Sequence, residues 1–77
     1  MTELEWMRIF GDNLQYHLRE NDMTQEELAN RTGLTQASIS RYANGTQLPG
    51  IRAVINIANA FGVSTDDLID FGDIIEM

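Results

Sequence analysis

The 77-residue sequence contains no cysteine and no lysine, and it has a single histidine and a single proline. Without cysteine there are no disulfides and no thiolate chemistry, and His17 alone is too little for a histidine metal site. No apolar run approaches the ~18 residues of a membrane span. Acids also stand where a signal peptide has positive charge. We therefore expect a cytoplasmic protein without a metal or other cofactor, and not a membrane protein.

Catalytic signatures are missing as well. The sequence contains no nucleophile–base pair, no cluster of metal ligands and no phosphate-binding loop. A chain of this length forms one compact domain with a small core, which leaves little room for a pocket. We therefore expect that residues 1–77 form a single domain that is not an enzyme.

The charge is distributed unevenly along the chain. The formal net charge is −7, but residues 28–65 carry three arginines and no acid. Residues 1–27 carry seven acids and two arginines, and residues 66–77 carry five acids and no arginine. All side-chain positive charge resides on guanidinium groups, which can form paired hydrogen bonds with phosphate or guanine. The middle of the chain is therefore the part suited to a polyanion.

Apolar spacing, capping residues and glycines predict an all-α fold. Thr24 with Glu27, and Ser64 with Asp67, have the spacing of capping boxes. Gly11 interrupts the first helix, which predicts a close packing contact or a bend there. The predicted helices span about 3–20, 25–32, 36–43, 51–61 and 65–71, followed by a tail at 72–77. In the fourth helix we expect one apolar face made of Ile51, Val54, Ile55, Ala58 and Phe61.

Residues 25–44 have the pattern of a helix-turn-helix. Leu28, Leu34, Ile39 and Tyr42 are predicted to face inward, and Gly33 turns the chain without a Cβ penalty. The outer side of the second helix is short, polar and uncharged apart from Arg41. Such side chains can enter a DNA major groove without placing an acid against phosphate.

The segments "TQEELANRTGLTQASISRYANG", "LP" and "IANAFGVSTDDLI" resemble the phage repressor and Cro-type family, the lambda-repressor-like or XRE helix-turn-helix domains. The resemblance covers roughly residues 10–71. It implies a five-helix domain that binds double-stranded operator DNA, usually as a two-fold homodimer. The expected function is that of a sequence-specific transcriptional regulator, and more narrowly a repressor.

By position, the resemblance also implies which residues contact DNA. The base-facing positions are Thr35, Gln36, Ala37, Ser40 and Arg41. The phosphate-facing positions are Thr24, Gln25, Asn44, Gly45 and Thr46. The loop "GTQLP" lacks the lysine or arginine that the family often has there.

Two questions stay open at this point. We expect the last helix and the tail to form the homodimer contact, since their apolar residues exceed what one small core needs; the alternative is that a larger domain follows Met77. The alternative function is a protein-interaction module on the same fold, such as an antitoxin or antirepressor-type subunit, because the acidic ends could bind a basic partner.

Overall fold

A computed structural model of the chain describes residues 2–69, and within that range it contains five α-helices and no strand. They are α1 (Glu3–Glu20), α2 (Gln25–Thr32), α3 (Gln36–Ala43), α4 (Ile51–Phe61) and α5 (Thr65–Leu68). The all-α, five-helix fold is confirmed. None of these helices is long and apolar enough to cross a bilayer, and residues 2–69 contain no group of three or more histidine, aspartate or glutamate side chains placed to hold a metal.

The last helix is shorter than predicted. It ends at Leu68, because the backbone of Ile69 (φ −114°, ψ 24°) has left the helical region. The sequence predicts a helix to residue 71, because acids and apolar residues continue through that stretch. Residues 70 and 71, and the tail at 72–77, lie outside the described residues.

Side-chain caps define where the helices begin. The hydroxyl of Thr24 accepts a hydrogen bond from the Glu27 amide (3.1 Å), and the Glu27 carboxylate accepts one from the Thr24 amide (2.9 Å). This capping box satisfies two of the amides that a helix N-terminus leaves without partners. Gly33 ends α2 in the left-handed region, at φ 78°.

All five helices contribute to one core. The fully buried large side chains come from α1 (Phe10, Leu14), α2 (Leu28), α3 (Ile39), α4 (Ile57) and α5 (Leu68). Of the predicted inner side of the helix-turn-helix, Leu28, Ile39 and Tyr42 are buried, and Leu34 packs partly buried against the core. The inner side of α3 is therefore buried in the core, and its other side is exposed to solvent.

The predicted apolar face of α4 is wrong in part. The buried residues are Ala53, Ile57, Ala58 and Phe61, whereas Ile51 and Ile55 are 79% and 44% exposed. Apolar residues occur almost all around this helix, so spacing alone allows more than one inward face. Packing against α2 and α5 selects the face that contains the small Ala53 and Ala58.

Candidate nucleic-acid interface

The outward side of α3 presents the five residues predicted to face bases. Thr35, Gln36, Ala37 and Arg41 are exposed, and Ser40 is half-buried. Gln36 with Ser40, and Ala37 with Arg41, are four residues apart and so form two adjacent rows along the helix. Thr35 also begins the helix, since its hydroxyl accepts a hydrogen bond from the Ser38 amide (3.0 Å). The result is a short polar ridge that carries one positive charge and no negative charge.

Arg41 is held by a residue that sequence reasoning missed. The Nε of Arg41 donates to the Oε1 of Gln47, in the loop after α3, at 2.5 Å. The two terminal nitrogens of the guanidinium make no hydrogen bond within residues 2–69. These terminal N–H groups remain available as a paired donor edge, the geometry that matches the O6 and N7 acceptors of guanine. No local sequence signal identifies Gln47, because the contact depends on how the loop folds back.

The first helix fixes the C-terminal end of α3. A Cβ added to Gly11 would lie 2.7 Å from the carbonyl oxygen of Ala43 and 2.8 Å from that of Tyr42. Gln15, one turn further on, donates from Nε2 to the same Ala43 oxygen at 2.5 Å. Phe10 adds an edge-to-face contact with the Tyr42 ring, at 6.2 Å between centroids. The packing reason predicted for Gly11 is therefore confirmed. Because Gly11 has no side chain, α1 can pack directly against the backbone of α3.

At the start of α2, the polar groups of Thr24 are already used within the protein. Its amide and its hydroxyl both donate to the Glu27 carboxylate, at 2.9 and 3.2 Å. These two bonds, the amide first, lower the pKa of Glu27 below its ordinary value. The neighbouring Gln25 is half-buried, and its amide stands at the first position of the helix, where no intrahelical acceptor exists. Gln25 is thus better placed than Thr24 for an incoming phosphate.

In the loop after α3, the backbone amides of the three predicted phosphate-facing residues already have partners within the protein. The amides of Asn44, Gly45 and Thr46 donate to the carbonyls of Ser40, Tyr42 and Arg41, at 3.0 to 3.1 Å. Gly45 is buried and adopts φ 72°. These amides close the end of α3 in the usual manner of a left-handed helix cap. The Thr46 hydroxyl also donates to the Arg41 carbonyl (3.2 Å), so the exposed Asn44 side chain is the group of this loop left to meet a ligand, and the Gly45 amide is not.

Arg8 is the second residue that sequence reasoning missed. It is exposed on α1, and a Cβ added to Gly45 would lie 3.4 Å from the Arg8 Cα. The fold thus brings the backbone of an exposed arginine from the acidic N-terminal part of the chain next to the loop that has no cation of its own.

Comparison with known proteins gives a consistent result. A family model described as "Helix-turn-helix" matches residues 14–68. The chain is 31% identical over 61 residues to the uncharacterized HTH-type transcriptional regulator YqaE of Bacillus subtilis. That match covers 79% of this chain and 53% of YqaE. It is 36% identical over 50 residues to the cryptic phage CTXphi transcriptional repressor RstR of Vibrio cholerae, covering 65% of this chain and 45% of the repressor. The match thus spans about half the length of each of these relatives.

A solved structure with the same fold is the restriction-modification controller protein C.AhdI from Aeromonas hydrophila. The TM-score is 0.78 and the sequence identity 21%, over 80% of this chain and 94% of that one. At this level of identity the match supports the arrangement of helices and nothing finer.

Proposed function

The chain belongs to the helix-turn-helix family, and we propose that it is a DNA-binding transcriptional regulator that reads an operator sequence in the major groove with α3. The observation that carries this proposal is the outward side of α3. It is polar, it carries one guanidinium and no acid, and α1 anchors its far end through Gly11 and Gln15. A rigid helix with short polar side chains is the element that fits the width of a major groove.

Each exposed side chain of α3 has a natural partner on a base edge. The Gln36 amide matches the N6 and N7 pair of adenine, and the terminal guanidinium edge of Arg41 matches O6 and N7 of guanine. The Ala37 methyl suits the methyl group of thymine. Ser40 offers a single hydroxyl, which is less selective, and the Thr35 hydroxyl already donates to Ser38 Oγ (2.9 Å) and accepts from the Ser38 amide (3.0 Å). We therefore assign most of the discrimination to Gln36 and Arg41.

The phosphate contacts are proposed on both sides of α3. Gln25 at the start of α2 lies on one side, with Thr24 in a lesser role because Glu27 already occupies its polar groups. On the other side we place Asn44 and Arg8, with Thr46 in a lesser role because its hydroxyl donates to the Arg41 carbonyl. Such contacts orient the protein on the duplex and carry no sequence information by themselves.

We further propose that two copies bind one operator and that the outcome is repression. Two-fold symmetric half-sites are the usual counterpart of a helix-turn-helix protein. The similarity to a phage repressor supports the sign of regulation. A repressor of this kind acts on the chromosome, so the cytoplasm is its proposed location.

The test is selection from random duplex DNA, followed by binding of Arg41→Ala to the selected duplex and to single-base variants of it. Arg41→Ala should weaken specific binding by about 1–3 kcal/mol and relax preference at one base pair. Arg19→Ala, which removes another exposed arginine, at the end of α1, is the control. An equal loss on every sequence would contradict a base contact by Arg41.

A second candidate function is a protein-interaction subunit of the antitoxin or antirepressor type. It is favoured by the exposed acids of α1, namely Glu3, Glu5, Asp12 and Glu20, which could bind a basic protein. Failure of selection to enrich any duplex at low salt, together with co-purification of a basic protein, would favour this candidate.

A further inference from the structure

Three hydrogen bonds join the arginine on the outer side of α3 to the loop that follows this helix. The amide and the hydroxyl of Thr46 donate to the Arg41 carbonyl, at 3.0 and 3.2 Å. In the reverse direction, the Nε of Arg41 donates to the Oε1 of Gln47 at 2.5 Å. Arg41 is exposed, whereas Gln47 is half-buried. The bonds from Thr46 therefore fix the loop next to Gln47, and the acceptor that meets the guanidinium is itself held by the protein.

The bond to Gln47 decides which edge of the guanidinium remains free. A guanidinium carries five N–H groups in a fixed fork, and it can offer a pair of donors either from its two terminal nitrogens or from Nε and one terminal nitrogen. Because the Nε–H of Arg41 is used by Gln47, the pair formed by the two terminal nitrogens is left. These nitrogens lie at the far end of the side chain, and they match the two acceptors of guanine.

Gln47 holds Arg41 without cancelling its charge. A carboxylate at the same place would form an ion pair with the guanidinium and would repel the phosphates of a duplex. Residues 28–65 contain no acid, and a neutral amide oxygen occupies this place. Arg41 therefore keeps its full positive charge while its side chain is held in one orientation.

Holding the side chain in advance affects discrimination more than general affinity. Immobilising one rotamer-rich side chain on binding weakens the complex by about three- to tenfold. The bond to Gln47 removes part of this freedom before DNA binds. The benefit appears only on a duplex that has guanine opposite Arg41, because elsewhere the contact is not made and the side chain is not immobilised.

We propose that Gln47 is a specificity-determining residue of the DNA contact, which positions the Arg41 guanidinium for one base pair and does not contact a base itself. The proposal rests on the proposed DNA-binding function. The competing role for Gln47 is a direct one, because its NH₂ group makes no hydrogen bond within residues 2–69 and could donate to DNA. The two roles use opposite ends of the same amide, so they can be separated by substitution.

Two variants test the two ends of the Gln47 amide. Gln47→Met keeps the length of the side chain and removes both the acceptor and the donor. Gln47→Glu keeps an acceptor for Arg41 and removes the NH₂ group. Asn59→Leu, at an exposed position of α4, is the control for replacing a surface amide by an apolar side chain.

The measurement is the ratio of two affinities. One duplex is the selected sequence, and the other has a substitution at the base pair where Arg41→Ala relaxes the preference. Gln47→Met should lower the ratio by about three- to tenfold and leave the affinity for the substituted duplex unchanged. Gln47→Glu should keep most of the ratio and bind both duplexes more weakly, because of its added charge. Asn59→Leu should match the original protein on both duplexes.

A double-mutant cycle shows whether Gln47 acts through Arg41. In the Arg41→Ala background, Gln47→Met should change the ratio no further, because the side chain that it positions is gone. A further loss in that background would assign a direct DNA contact to Gln47 and overturn the proposal. An unchanged ratio in Gln47→Met overturns it as well, and so does a loss in Gln47→Glu as large as that in Gln47→Met.

The side-chain Nε–H signal of Arg41 in an NMR spectrum tests the bond without DNA. This proton should exchange slowly with water in the original protein and in Gln47→Glu, and as fast as that of Arg19 in Gln47→Met. A protein that binds the selected duplex without this protection keeps the DNA-binding function and refutes the proposal. A protein that shows the protection but enriches no duplex in selection refutes the DNA-binding function, and the role of Gln47 with it.

Discussion

The substitution Gly11→Ala tests whether α1 touches the backbone of α3. The added methyl group would lie 2.7 Å from the Ala43 carbonyl oxygen and 2.8 Å from that of Tyr42, whereas ordinary van der Waals contact begins at 3.4 Å. Both obstacles are backbone atoms and cannot rotate away. The end of α3 would therefore have to shift by about half an ångström, at the cost of overpacking a tight contact.

Two opposing terms set the size of the effect. Alanine in place of glycine inside a helix contributes about 1 kcal/mol of stabilisation, because the unfolded chain is less flexible and the helix propensity higher. Overpacking costs about 1–3 kcal/mol, and the upper part of that range applies where backbone must move. We expect a net destabilisation of about 1–2 kcal/mol. The sign is diagnostic, because without the contact the substitution would stabilise the protein.

The assay is urea unfolding followed by far-UV circular dichroism, with unchanged m-value as the check that the midpoint reports stability. Asp12→Ala, at the exposed neighbouring position, is the control and should raise the stability by a few tenths of a kcal/mol. A Gly11→Ala protein that is about 1 kcal/mol more stable than the original would refute the close approach. It would also remove the reason for regarding α1 as the support of α3.

Three further predictions follow from the same contacts. Gln15→Leu removes the donor to the Ala43 oxygen and should lower the free energy of unfolding in urea by about 1 kcal/mol. Gln15→Lys should retain more of the stability, because its side chain still carries a donor. Equal unfolding midpoints for the two variants would contradict a stabilising hydrogen bond from Gln15. The hydrogen bonds from Thr24 lower the pKa of Glu27 in the folded state, so their stabilisation is present at neutral pH and is lost as the pH falls through that lowered pKa. Glu27→Gln should therefore flatten this part of the stability–pH profile. A profile identical to that of the original protein would show that the capping box is not formed. With Arg8 as the one arginine proposed to contact phosphate and Arg41 assigned to a base, the logarithm of the binding constant should fall with the logarithm of salt concentration with a slope of about −1 per copy. A much steeper slope measured by titration would mean that other arginines contact phosphate.

Local patterns were sufficient for the helices and their starting points. The Thr24–Glu27 box and the glycines that follow α2 and α4 act within a few residues, so they are legible without knowing what the segment packs against. The same holds for Gly11, because a glycine inside a helix has a cost that some contact must offset. The order of charges along the chain also pointed to the middle segment.

Where several choices satisfied the local pattern, the prediction was less reliable. The fourth helix is apolar on more than one side, so the inward face was misjudged and Ile51 and Ile55 were expected inside. The predicted fifth helix continues past Leu68, whereas the backbone leaves the helical region at Ile69, because the composition of this stretch carries no stop signal at that position. The predicted contact of last helix and tail falls largely on residues 70–77, outside the described part of the chain.

By itself, then, the sequence determined the helices, the helix-turn-helix and the polar outer side of α3, because caps, glycine turns and apolar spacing act over distances of a few residues. The tertiary structure alone decided that Gln15 and Gly11 hold the end of α3, that Gln47 orients Arg41 and that Arg8 adjoins the loop after α3. These contacts join residues whose separation in the chain reaches 37 positions, for Arg8 and Gly45. No local rule specifies such a pairing, since it depends on how whole helices pack and which face each turns inward.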